Sequence, residues 1–186
     1  MMIRLLAAAG LLVLAALVAA LPAEAQGRAR GQAQTTTPPP AADDGKEPGF
    51  LVVAAGWFDM FDDKQAVAGS LEYVFSQDSK LWLFTPFVGV TATNEAWAYA
   101  YAGIGLDVFW GRRIVTTPTF AIGLYTEGDG KDIGSVLEFR SGLEIAYRFD
   151  DRSRLGVGFY HISNAGITEA NPGTEILNLR YSIPMR

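Results

Sequence analysis

The sequence predicts an all-β fold, an eight-stranded antiparallel up-and-down barrel that spans a membrane. Three observations carry this. From Gly49 onward, apolar and polar residues alternate with period two, the pattern of strands with one apolar face. The alternating segments are long, often beyond the roughly 9–11 residues that cross a bilayer as a tilted strand. Although 49% of the residues are hydrophobic, no long apolar run follows residue 21, so the apolar excess is spread over strands and not gathered in helices.

The elements follow in chain order. Met1 to Arg4 is positively charged, Leu5 to Leu21 is apolar and uncharged, and Ala23-Glu24-Ala25 is a small-residue cleavage pattern. Residues 1–25 therefore read as an export signal peptide. Residues 26–48, with Thr35-Thr36-Thr37-Pro38-Pro39-Pro40, are polar, proline-rich and short of large apolar side chains. They bury too little surface to offset ordering and read as a flexible periplasmic tail. Residues 49–186 form the barrel.

Eight strands are expected at about 50–59, 65–76, 81–92, 96–110, 113–126, 134–149, 153–164 and 174–184. In the second, Leu71, Tyr73 and Phe75 oppose Ser70 and Glu72; in the third, Trp82, Phe84, Val88 and Val90 oppose Thr85 and Thr91. The sixth is the clearest: Leu137, Phe139, Leu143, Ile145, Tyr147 and Phe149 share one face, and Glu138, Arg140, Glu144 and Arg148 the other. In the eighth, Leu177, Leu179, Tyr181 and Ile183 oppose Asn178, Arg180 and Ser182.

Alternation alone fits two arrangements. A soluble lipocalin-like barrel turns its apolar face inward, and a membrane barrel turns it out to lipid. The close spacing of both charge signs on the polar face suits a compact, paired interior. Aromatic residues toward strand ends (Trp57, Phe58, Phe75, Trp82, Trp97, Phe109, Trp110, Phe149) resemble interfacial girdles. With the tail in the periplasm, the second, fourth and sixth connections are periplasmic and short: Gln77-Asp78-Ser79-Lys80, Gly111-Arg112 and Asp150-Asp151-Arg152. Thr126 to Ile133 and Asn164 to Gly173 are longer outer loops, the expected asymmetry. Eight strands leave an interior just wide enough for side chains, which argues against a general porin.

Composition excludes several chemistries. The chain has no cysteine and one histidine, His161. Disulfide frameworks, thiol nucleophiles and multi-histidine metal centres are excluded. A net charge of −5 argues against nucleic-acid binding. Asp59, Asp62 and Asp63 lack metal-loop spacing, and with Asp129 and Asp132 they read as solvated acidic loops. Gly103-Ile104-Gly105 lacks the strand-to-helix context of a dinucleotide site.

One group departs from the apolar pattern. Leu155, Val157 and Phe159 lie on the lipid-facing side of the seventh strand, and His161 and Ser163 continue that row. Glu175 stands in the row of Leu177 and Leu179 on the eighth. If the hairpin pairs symmetrically about Thr168, His161 faces Glu175 directly. Polar residues are ordinary where strand ends meet headgroups. The chemical reading makes Ser163 a nucleophile, His161 its general base and Glu175 the group that orients the imidazole.

The stretches His161-Ile162-Ser163-Asn164-Ala165-Gly166, Asn171-Pro172-Gly173-Thr174-Glu175 and Leu179-Arg180-Tyr181-Ser182 resemble the outer-membrane lipid A 3-O-deacylases. The close match covers roughly the last thirty residues, with the barrel pattern covering the rest. The resemblance implies an eight-stranded barrel in the bacterial outer membrane. It implies hydrolysis of the 3-O-linked acyl chain of lipid A, in lipopolysaccharide, by a Ser163-His161-Glu175 triad without a required metal or other cofactor. It also implies the Gly166 backbone N–H and the Asn171 side chain as oxyanion donors, with Asn164 in support. A homodimer stays open. The alternatives are a non-enzymatic small barrel, structural or adhesive, and a secreted lipid-binding barrel.

Overall fold

The computed structural model describes residues 46–185; the expected signal peptide and residues 26–45 of the tail lie outside the described residues. The last residues of the expected tail are bonded to the barrel. Glu47 accepts from Arg148 at 2.7 Å and Arg154 at 2.8 Å, and its carbonyl accepts the Gln77 N–H at 3.0 Å.

The strands are β1 (Gly49–Phe58), β2 (Ala66–Val74), β3 (Thr85–Thr93), β4 (Ala98–Gly105), β5 (Val108–Trp110), β6 (Ile114–Thr126), β7 (Leu137–Arg148), β8 (Arg154–Ser163) and β9 (Thr174–Met185). All pairing is antiparallel and joins chain neighbours, except that β4 and β5 do not pair with each other. β1 pairs with β9, and both β4 and β5 pair with β6, so the sheet closes. β4 and β5 are one barrel strand interrupted at Leu106 and Asp107, and the barrel is eight-stranded as expected. Closure pairs every long strand on both sides, and only the short β5 keeps one edge without a strand partner.

The faces settle the choice between the two arrangements. Leu71, Val88, Val90, Phe120, Ile122, Leu143, Ile145, Leu155, Val157 and Leu179 are exposed on the outside, whereas Glu72, Arg140, Asn178 and Arg180 are buried within. Apolar-out and polar-in is the arrangement of a membrane barrel, and it overturns the soluble, apolar-in alternative. The interior charges are paired. Glu72 accepts from Arg140 at 3.2 Å, Arg180 at 2.7 Å and the Tyr101 hydroxyl at 3.1 Å. Arg180 reaches Glu144 at 3.1 Å, and Tyr160 donates to Glu144 at 2.7 Å. Glu138 departs from the expected pairing, because neither of its buried carboxylate oxygens has a hydrogen-bond partner.

Two local expectations are corrected. The third strand begins at Thr85, not 81. Leu81 and Phe84 bond to each other in both directions, at 2.8 and 3.1 Å, around a two-residue turn in which Trp82 takes φ 61. Trp82 and Phe84 thus belong to a tight turn that precedes β3. Phe58 and Trp97 are not girdle residues. Both are fully buried and pack edge to face with centroids 4.5 Å apart. Parity explains Phe58: it follows the outward-facing Trp57, and successive strand residues point to opposite faces.

Candidate active site

β8 and β9 build the site at the outer rim. Their register places His161 opposite Glu175 and Phe159 opposite Leu177, the pairing expected from symmetry about Thr168. Period-two alternation then puts both polar side chains on the outer face. His161 Nδ1 lies 3.1 Å from Glu175 Oε1, with side-chain exposures of 46% and 24%. The imidazole is therefore anchored through Nδ1, which leaves Nε2 for chemistry.

Ser163 is half-buried at the end of β8, two residues beyond His161 on the same face. No hydrogen bond joins it to His161. Across β7 it pairs with Phe139, while His161 pairs with Ser141. Phe120, Phe139, Ser141, Ser163 and Ala165 line an open groove of about 320 Å³. Phe120 and Phe139 stack along it with centroids 5.9 Å apart. On the other side Phe61 leans on Phe159 at 6.4 Å.

The loop after β8 is a tight turn. Ile167 N–H donates to Asn164 O at 3.1 Å, and Ala165 and Gly166 both have positive φ, 54 and 79. Asn164 is fully buried and organises it. Its Nδ2 faces Ile133 O, Thr168 Oγ1 and Ala170 O at 3.2, 2.8 and 2.9 Å. Its Oδ1 accepts the Gly166 N–H at 2.9 Å, and its own N–H donates to Asn171 Oδ1 at 3.0 Å. The Gly166 N–H is thus already engaged, whereas Asn171 is held through its oxygen with its amide nitrogen left over.

Three residues at the site escaped the sequence reading. Gly173, at φ 64, packs so closely on the imidazole that a Cβ there would sit 2.9 Å from His161 Cε1. Thr174 and Asp59 are fully buried beneath Glu175, and Asp59 is no solvated loop residue. Lys131 bonds to Asp59 at 2.7 Å and to Asp62 at 2.6 Å. Burial alone draws the Lys131 ammonium down, but its hydrogen bonds to Asp59 and Asp62 outweigh that and leave it above the ordinary lysine value. Period-two patterning carries no signal for Gly173 or Asp59, which lie in positive-φ turns; it turns Thr174 inward but does not show that Asp59 meets it there.

Known proteins share this arrangement of sequence. Lipid A deacylase PagL of Bordetella bronchiseptica is 34% identical over 84 residues, 45% of this chain and 39% of that protein. Lipid A deacylase PagL of Pseudomonas aeruginosa is 32% identical over 103 residues, 55% of this chain and 51% of that protein. The matched segments thus span between two fifths and about half of these relatives' lengths. The crystal structure of the outer membrane enzyme PagL shares the fold, with a TM-score of 0.58 and 22% identity over 73% of this chain and 99% of that one. Residues 69–184 match the profile of lipid A 3-O-deacylase (PagL); with most of the barrel inside that match, the chain belongs to the lipid A 3-O-deacylase family.

Proposed function

We propose that the protein is an outer-membrane esterase that removes the 3-O-linked acyl chain of lipid A. The observation that carries the reading is the 3.1 Å contact between His161 and Glu175 on the lipid-facing side, where polar side chains are otherwise costly, with Ser163 next along the same face. An ester-linked chain enters laterally from the outer leaflet, its acyl part lying in the groove beside Phe120 and Phe139.

Ser163 Oγ attacks the ester carbonyl carbon while His161 Nε2 takes its proton, and Glu175 steadies the imidazolium through Nδ1–H. The hydroxyl closes onto Nε2 when substrate is bound, a tightening common in active sites. The tetrahedral oxyanion meets the Asn171 side-chain amide. The Gly166 N–H joins it by exchanging its bond to Asn164 for one to the oxyanion. Such donors are worth about 3–4 kcal/mol each in other hydrolases. Collapse expels the sugar hydroxyl, which takes the proton from His161. Water from the outer interface then hydrolyses the acyl-serine by the same base.

The test is expression in a host whose lipid A keeps its 3-linked chain, followed by mass spectrometry of lipid A. Wild type removes one hydroxyacyl group. Ser163→Ala, inserted at the same level, removes none. Unchanged lipid A with correctly inserted wild type refutes the reading.

A further inference from the structure

Glu175 has a neighbour on each side. His161 lies across β8. Asp59, one residue past β1, donates its N–H to Glu175 O at 2.8 Å, extending the ladder in which Phe58 faces Ile176. Simple alternation would aim the Asp59 carboxylate outward beside Glu175, and like charges directly opposite destabilise a sheet. Asp59 instead takes a left-handed φ of 55, a conformation aspartate tolerates better than most residues. Its side chain is turned fully inside.

There the carboxylate meets three donors. Oδ1 accepts from Thr174 Oγ1 at 3.0 Å and Lys131 Nζ at 2.7 Å, and Oδ2 accepts the Lys64 N–H at 3.1 Å. A buried charge of this kind needs a paired partner, and Lys131 supplies it from the loop between β6 and β7. Thr174 lies between the two residues that hold the imidazole. Gly173 packs on its Cε1 and Nε2 edge, and Glu175 bonds Nδ1. Residues 173–175 thus saddle the ring, and the only side chain of the saddle that points inward is fastened to Asp59.

We propose that Asp59, Lys131 and Thr174 form a clasp that positions the His161–Glu175 pair, with Asp59 and Thr174 as positioning residues for the proposed deacylation. The inference rests on that function for its kinetic consequence, and on geometry alone for its structural one. Releasing Thr174 lets the saddle relax, and the imidazole loses its fixed direction while the substrate groove beside β7 is untouched.

The experiment compares untagged wild type with Thr174→Val, Thr174→Ser and Lys131→Met in detergent micelles, each shown to be folded by its heat-modifiable gel mobility. Because His161 is the only histidine, nitrogen-15 labelling of histidine gives one set of ring signals. The clasp predicts a downfield, slowly exchanging Nδ1 proton in wild type and Thr174→Ser, lost or averaged in Thr174→Val and Lys131→Met. With lipid A as substrate, kcat falls about tenfold in Thr174→Val with KM within about twofold, and Thr174→Ser restores it. An unchanged ring signal in folded Thr174→Val overturns the clasp, whatever the rates do. If wild type releases no acyl chain, the proposed function fails, and the ring signal still decides the clasp.

Discussion

At the residue scale, the site is a set of side chains whose directions are fixed by their neighbours. Gly173 shows how tight this is. At φ 64 a side chain is strained, and an added methyl would press on His161 Cε1. Gly173→Ala therefore costs deacylation on the order of a hundredfold, since displacements near 1 Å have that effect. Initial rates on lipid A, with barrel folding checked by gel mobility, measure it. The register that sets His161 opposite Glu175 was legible in the sequence, because these two residues and Ser163 interrupt apolar rows that are otherwise regular. Asp59 and Gly173 were not, because backbone turns into positive φ are invisible to alternation.

At the element scale, β8 carries His161 and Ser163 and must also satisfy the bilayer. Leu155, Val157 and Phe159 stand outward below His161, and Tyr160 and Ile162 are buried behind it. Val157 pairs with Ile145 and Leu179, at mid-strand. Val157→Arg places a cation there and lowers unfolding stability by about 2–4 kcal/mol, as read by urea titration of the barrel in lipid vesicles. The strand pattern was legible wherever one face met lipid. It failed over residues 81–84, where aromatic alternation mimicked a strand although the chain doubles back at Trp82. It also ran through Leu106 and Asp107, which interrupt the strand: Asp107 turns to accept from Arg154 at 2.8 Å and Thr117 at 2.7 Å, although the Leu106 N–H still reaches Pro118 O at 3.1 Å.

At the scale of the whole molecule, the barrel separates two tasks. The outer rim holds the site and its loops, and the interior holds an ionic lattice of Glu72, Arg140, Glu144 and Arg180 braced by tyrosines. Arg140 lies 4.0 Å from the Tyr101 ring centre and 4.4 Å from that of Tyr160. Beneath them lies a partly open cavity bordered by Glu72, Asp107 and Arg154, with about 40 Å³ open to water-sized molecules, room for ordered water.

That ionic lattice has an electrical consequence. An ion crossing it would have to break the buried pairs that Glu72 makes with Arg140 and Arg180. Reconstituted into a planar bilayer under voltage, the protein carries no stepwise current, and discrete conductance levels would contradict an interior closed by these ion pairs. Many copies of such a barrel can then stand in one membrane without opening it to ions.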